Sequence, residues 1–233
     1  MSLLARYTRL RVDILLSKVM TPTKLAPTLP LLANGDRLHR AEFERRYTAA
    51  PDVKKAELIE GIVYVASLSR FTPHAKPHAQ IITWLGLYQA SFPNTELGVE
   101  PTVRLDNENE PQPDIVLFRV DGNARVDEDG YIIGAPELVV EISASTTSYD
   151  LHDKKRAYQR NGVQEYIVWR TFDRAIDWFI LEDGQYIRLE PNSASVFCSR
   201  EFPGLWLDVD QLLAGNMQIV LKTLNEGLNS VSL

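Results

Sequence analysis

"PELVVEISASTTSYDLHDKKRAYQRNGVQEYIVW", residues 136–169, contains a strand, a helix and a second strand in one run. Leu138, Val139, Val140, Glu141 and Ile142 have the nearly unbroken apolar character of a strand covered on both faces of a sheet. A polar loop follows, then helical spacing over 149–161, Gly162 placed to end the helix, and a second apolar run. Strand 137–142, helix 149–161 and strand 163–169 are therefore predicted to form a βαβ-like unit with short connections. Glu141 is the misfit. A buried, unpaired carboxylate is costly enough that it is normally neutralised, hydrogen-bonded or bound to a cation, so its partner must come from elsewhere in the chain.

The totals bound what surrounds this unit. With 233 residues, 45% hydrophobic and 24% charged, the chain has the make-up of a soluble globular protein and enough apolar residues for a substantial core. The single cysteine, Cys198, excludes an intrachain disulfide and a thiolate zinc cluster and fits a reducing cytoplasm, with a small buried apolar residue as its ordinary role. A net charge of −6 gives no global attraction to nucleic acid, although metal ions in an acidic pocket and a local basic patch can offset an acidic average. Near the start, the apolar run at 14–16 is too short for a spanning helix or an export signal, so neither is expected.

Working outward, residues 1–38 carry Pro22, Pro27, Pro30 and Asn34-Gly35 without a sustained period, and read as an N-terminal arm or irregular lead-in before a domain over 39–233. "HRAEFERRYTAAP" is a short helix closed by Pro51, and "AELIEGIVYVASL" a hairpin turning at Glu60-Gly61. Pro77 opens the next helix, with Ile81, Leu85, Tyr88 and Phe92 as its apolar stripe. "ELGVEPTVRL" and "PDIVLFRV" read as two strands, and 121–134 as a loop. "RAIDWFILEDGQYIRLE" is a hairpin around Asp183-Gly184, and "FPGLWLDVDQLL" with the remaining tail gives a short strand and a terminal helix. This hairpin and the terminal helix are the candidate two-fold surface of a homodimer.

Asp114 begins the strand that follows Pro113, and Glu141 sits in the next long strand. Two carboxylates converging at one end of a sheet would make an oxygen-rich site suited to Mg²⁺ or Mn²⁺. Asp150, Lys154 and Tyr158 recur every four residues along one helix face, so Lys154 leans toward the Glu141 strand end while Asp150 restrains it as an i,i+4 partner. Lys155 points about 100° away and is the weaker candidate. His74 and His78 are also four apart, but Pro77 interrupts the helical ladder that a two-histidine zinc face requires. Trp169, Trp178 and Trp206 have apolar neighbours and read as core.

"AELIEGIVYV", the "PH" before an apolar helix, "PDIVLF", "PELVVEISAST", "YDLHDKKRAY" and "GVQEYIVW", in that order over about residues 40–210, resemble the Uma-type family of restriction endonucleases within the PD-(D/E)XK nuclease superfamily. The resemblance implies an α/β fold, a restriction-endonuclease-like mixed β-sheet flanked by helices, and a Mg²⁺-dependent (or Mn²⁺-dependent) endonuclease hydrolysing DNA. Asp114 and Glu141 would be its paired acids, Ile142 would offer its backbone carbonyl to the metal, and Glu57 would be the additional upstream acid, with Glu60 three residues on. The general superfamily pattern has lysine two residues after the glutamate. This chain has Ser143 there, and the charge is expected to come instead from Lys154 on the helix. His78 matches a helix-start histidine of the family. Two other functions stand beside this one: a non-catalytic binding module that keeps the nuclease fold, favoured by the acidic average and Ser143, and a metal-dependent hydrolase of RNA or a small phosphoester.

Overall fold

The computed structural model describes residues 29–66 and 70–231, so most of the expected N-terminal arm lies outside the described residues. Within them, the chain lays its lead-in along the first hairpin, where Gly35 N donates to Val63 O at 2.8 Å and Leu38 N to Gly61 O at 2.8 Å. Helix α1 (Arg40–Thr48) buries Phe43 against Leu58 and Val63 of that hairpin. Strands β1 (Ala56–Ile59) and β2 (Ile62–Val65) pair antiparallel through Glu60 (φ 53°) and Gly61 (φ 71°), the two left-handed residues of the turn whose twist suits a hairpin. A π turn, Phe71–Ala75, leads into α2 (Lys76–Ser91), with Pro77 in its first turn and Ile81, Trp84, Leu85 and Tyr88 buried.

The stretch "ELGVEPTVRL" forms two strands where the sequence suggests one. β3 (Thr95–Val99) joins the main sheet; at Glu100 (φ 51°) and Pro101, which has no N–H to give a ladder, the chain turns away and β4 (Val103–Arg104) pairs elsewhere. β5 (Ile115–Arg119) follows. The expected loop at 121–134 carries β6 (Arg125–Val126) and β7 (Ile132–Ile133), which build a three-stranded sheet with β4; two-residue strands leave no readable period.

The decisive stretch forms β8 (Leu138–Ser143), α3 (Thr147–Tyr149), a π turn at Asp150–Lys154, α4 (Lys155–Asn161) closed by Gly162 at φ 85°, and β9 (Glu165–Arg170) parallel to β8. β10 (Ala175–Glu182) and β11 (Gln185–Arg188) make the expected hairpin through Asp183 (φ 48°) and Gly184 (φ 76°). β12 (Val196–Cys198), absent from the sequence reading, pairs with β13 (Trp206–Asp208), and α5 (Val209–Ala214) starts where Asp208 accepts from Gln211 N at 3.0 Å. α6 (Met217–Val231) ends the described chain.

The main sheet runs β11-β10-β9-β8-β5-β3, mixed in direction. Alternate residues of β8 divide between its faces. Leu138, Val140 and Ile142 join Trp84, Trp178 and Leu224 beneath α2 and α6, whereas Val139 packs with Tyr158, Tyr166 and Val168 under α4. Each large side chain so buried contributes about 1.5–3 kcal/mol, and both faces of β8 are covered, as its apolar run requires. Helix α6 spends its apolar residues Val220, Leu224 and Leu228 on this core, and β11 and β3 are the two edges of the sheet.

Candidate active site

On β8 the side chain of Glu141 shares a face with Val139 and Ser143, the face that α4 covers. β5 and β8 pair antiparallel with Ile115 opposite Val140, so continuing the register by one sets Asp114 across from Glu141, on the same face of the sheet. The strands part at that point. Asp114 Oδ2 accepts from Ile142 N at 2.7 Å, and its backbone carbonyl accepts from Glu100 N at 2.9 Å where β3 also ends. A local rule of pairing thus puts two acids side by side where the sheet opens.

The π turn supplies the cation. Lys154, only 3% exposed, sets Nζ 2.8 Å from Glu57 Oε1 and 2.9 Å from Glu141 Oε1. One turn on, Tyr158 Oη donates to the same Glu141 oxygen at 2.8 Å. The wider coil at 150–154 changes the spacing that a regular helix would give, a feature common at functional sites. Asp150 accordingly does not act as the expected i,i+4 partner of Lys154: its Oδ2 accepts from Ser143 Oγ at 2.8 Å and Thr146 Oγ1 at 2.5 Å. Ser143, fully buried, fills the position where the superfamily pattern has lysine and ties β8 to the helix start. Lys155 points out of the site and lies over the ring of Phe179 at 3.5 Å.

Glu57 reaches the cluster from β1, its Oε1 held by Gln112 N at 2.7 Å, while Glu60 turns away to pair with Arg160. The sequence reading weighed His74 only as half of a zinc pair with His78 and did not place it beside Asp114. Its Nε2 lies 3.2 Å from Asp114 Oδ1, whereas His78 Nε2 contacts only the backbone carbonyl of Asp114 at 3.0 Å. The short π turn before α2 swings His74 inward, and no sequence periodicity marks such a turn. Lys55, 3.9 Å from Asp114 Oδ1 in the irregular segment before β1, and Tyr149, whose ring faces Lys154 Nζ at 5.4 Å from the end of α3, were also not expected at the site.

Lys55, Glu57, His74, Asp114, Glu141, Tyr149, Asp150 and Lys154 line one cleft of about 390 Å³, together with Glu100, Arg70 and Tyr64. Its charge is unbalanced. Glu57, Asp114, Glu141 and Asp150 are all buried, and Lys154 is the one buried ammonium among them. Burial pushes Glu141 up to about 8; Lys154 opposes that shift, and the carboxylates of Asp114, Asp150 and Glu57 add to it. Burial also works against Asp114, but the hydrogen bond and charge of His74, with Lys55 and the Ile142 amide, hold its carboxyl below the usual range. For Lys154, desolvation is outweighed by Glu141 and Glu57, and its ammonium is held well above its ordinary value.

Whether this cluster suits a divalent cation is a question of donors. Among the described residues no three His, Cys, Asp or Glu side chains group as a ready metal cage. A small hard cation, however, is held by one or two carboxylates with the remaining positions left to water or substrate. Asp114, Glu141 and the Ile142 carbonyl give that all-oxygen set, and the surplus of buried negative charge fits a dication. Only one oxygen of Glu141 is taken: among the described residues nothing donates to its Oε2.

Residues 40–210 match the family model of Uma2, described as "Putative restriction endonuclease". No curated protein matches. Among solved structures, a crystal structure from Anabaena variabilis described as "a putative nuclease belonging to DUF820" is similar with a TM-score of 0.55 and 16% identity, over 73% of this chain and 96% of that one. At that identity the likeness is one of fold.

Proposed function

The chain belongs to the Uma2 family, described as "Putative restriction endonuclease", and from that membership we propose that it is a divalent-metal-dependent endonuclease acting on DNA phosphodiesters. The observation that carries this reading is the meeting of Lys154 with Glu141 beside Asp114 in an open cleft, with the ammonium delivered from the helix while position 143 is serine. Asp114 and Glu141 would hold Mg²⁺ or Mn²⁺ with the carbonyl of Ile142; in an extended strand that carbonyl points to the same side as the Ile142 N–H, which is turned toward Asp114. The bound ion would polarise the scissile phosphate and lower the pKa of a water.

The chain's own groups do the rest. Lys154 places a fixed positive charge where negative charge builds on the phosphate, in a buried setting where such a charge acts strongly. Glu57 shares that ammonium and supplies a further carboxylate beside it. Tyr158 orients Glu141, and Asp150 acts as a positioning residue, locking Ser143 and Thr146 so that the π turn keeps Lys154 at the strand end. With this reading goes a homodimer through the β10–β11 hairpin and the terminal helix, which would bring two sites into one particle.

The test is plasmid nicking by the full chain with Mg²⁺ or Mn²⁺. Wild type is expected to convert supercoiled plasmid to nicked circles and Glu141→Ala to leave it intact; a wild type as inert as the variant in both metals overturns the reading. The engagement of Lys154 with two carboxylates also favours a binding-only module. If that reading holds, millimolar Mn²⁺ will leave the thermal midpoint unmoved.

A further inference from the structure

A second cavity, about 490 Å³, adjoins the candidate active site and shares Arg70 and Pro73 with it. Its floor is apolar, with Trp169, Leu212 and Leu213. Its charged lining residues are Arg70, Lys76 and Arg174, and no acid lines it, in a chain whose net charge is −6. None of these three cations forms an ion pair among the described residues. The acid closest in sequence, Asp173, is taken by Arg170 at 2.5 Å. The same place gathers exposed aromatics. Of the eight phenylalanines in the chain, Phe71 and Phe172 are the ones left in solvent, at 72% and 62% exposure. Phe172 lines the groove, and Phe71 lies between its lining residues Arg70 and Thr72.

We infer that this groove is the track on which a DNA strand lies as it leads into the cleft, with its bases unpaired. The inference rests on the nuclease reading and adds a substrate form to it. Arg70, Lys76 and Arg174 meet phosphates, while Phe71 and Phe172 offer flat faces to bases. Aromatic faces stack on bases of any sequence, but only where those bases are not already stacked inside a duplex. A groove of cations alone would serve paired and unpaired DNA alike; the solvent-facing ring of Phe172 in its lining, with exposed Phe71 next in sequence to Arg70, favours the unpaired strand. An acidic peptide would match the cations too, but continuity with a cleft suited to phosphodiesters favours nucleic acid.

Fluorescence anisotropy with labelled oligonucleotides, on the full chain in EDTA, tests this without catalysis. Single-stranded DNA should bind more tightly than the duplex of the same sequence. Phe172→Ala should weaken single-strand binding about 5- to 150-fold, the range for loss of one stacked base, and leave duplex binding unchanged. Lys76→Ala with Arg174→Ala should reduce the slope of log affinity against log salt by about 1.4, two phosphate contacts on a single strand. All three side chains are at the surface, and circular dichroism will confirm that the variants fold. Equal affinity for the two DNA forms, or an unchanged affinity in Phe172→Ala, overturns the inference, as does displacement of the DNA by polyglutamate at matched charge. The two readings fail separately. Groove binding without nicking in metal removes the nuclease and keeps the track; nicking with all variants binding like wild type removes only the track.

Discussion

Glu141 and Glu165 make the same breach of pattern on neighbouring strands: each is a lone carboxylate in an apolar run, each is buried, and in each burial raises the pKa. Their surroundings differ. Glu165 accepts from Arg200 N at 2.6 Å, Glu201 N at 3.1 Å, Ser199 Oγ at 2.8 Å and Trp178 Nε1 at 3.2 Å, so both oxygens are satisfied by neutral donors and the acid braces the 199–202 turn. Glu141 has Lys154 and Tyr158 on one oxygen, three other acids nearby, and a cleft beside it. A buried acid is thus no sign of chemistry by itself. What separates the two is whether hydrogen-bond capacity is used up and whether like charges converge, since converging acids are tolerated only with a cation among them.

The largest expected difference is in activity. Glu141→Ala should bring metal-dependent nicking to background while Glu165→Ala keeps it on the folded fraction; equal loss in both would erase the contrast. Next comes the cation. Lys154→Met leaves Glu57 and Glu141 buried without their partner and should cost about 3–5 kcal/mol in urea unfolding. That cost should shrink in acid: with its folded pKa above the unfolded value, Glu141 binds its proton more tightly in the folded state, so the variant loses stability as pH rises.

Glu165→Ala should cost about 3 kcal/mol, since it strands buried donors, with little dependence on divalent metal. The Mn²⁺-induced rise in thermal midpoint should grow between pH 6 and 9 as Glu141, pushed up to about 8, gives up its proton, and be lost in Glu141→Ala. The smallest effect is at the rim. The hydrogen bond that His74 donates to Asp114 raises the pKa of His74, so its contribution is complete below the unfolded value of about 6.5 and fades as pH climbs through the folded one. His74→Gln should therefore cost under about 1 kcal/mol at pH 6 and almost nothing at pH 9, by urea unfolding.

Much of the framework was legible because it depends on short-range rules. The β8–α4–β9 unit, the two left-handed hairpin turns and the stripe of α2 follow from apolar spacing, glycine and proline. Asp114, Glu141 and Lys154 were legible as one site from strand placement and helix spacing, whereas Glu57 was joined to them only by the resemblance. The split at Pro101, the two-residue strands β6 and β7, and β12 were not, because strands of two or three residues are too short to show a period. His74 and the true partners of Asp150 escaped for another reason: both depend on π turns, which shift a side chain around the helix without leaving a mark in composition.

By itself the sequence determined that a carboxylate must be buried at residue 141 and that a mixed sheet with helices would surround it, since the burial of apolar side chains follows their spacing along the chain. Only the tertiary structure decided which groups answer that carboxylate. The strand register at Asp114, the π turn under Lys154 and the hairpin carrying Glu57 are set by packing between distant segments, and the electrostatics of four acids around one ammonium exist only once those segments meet.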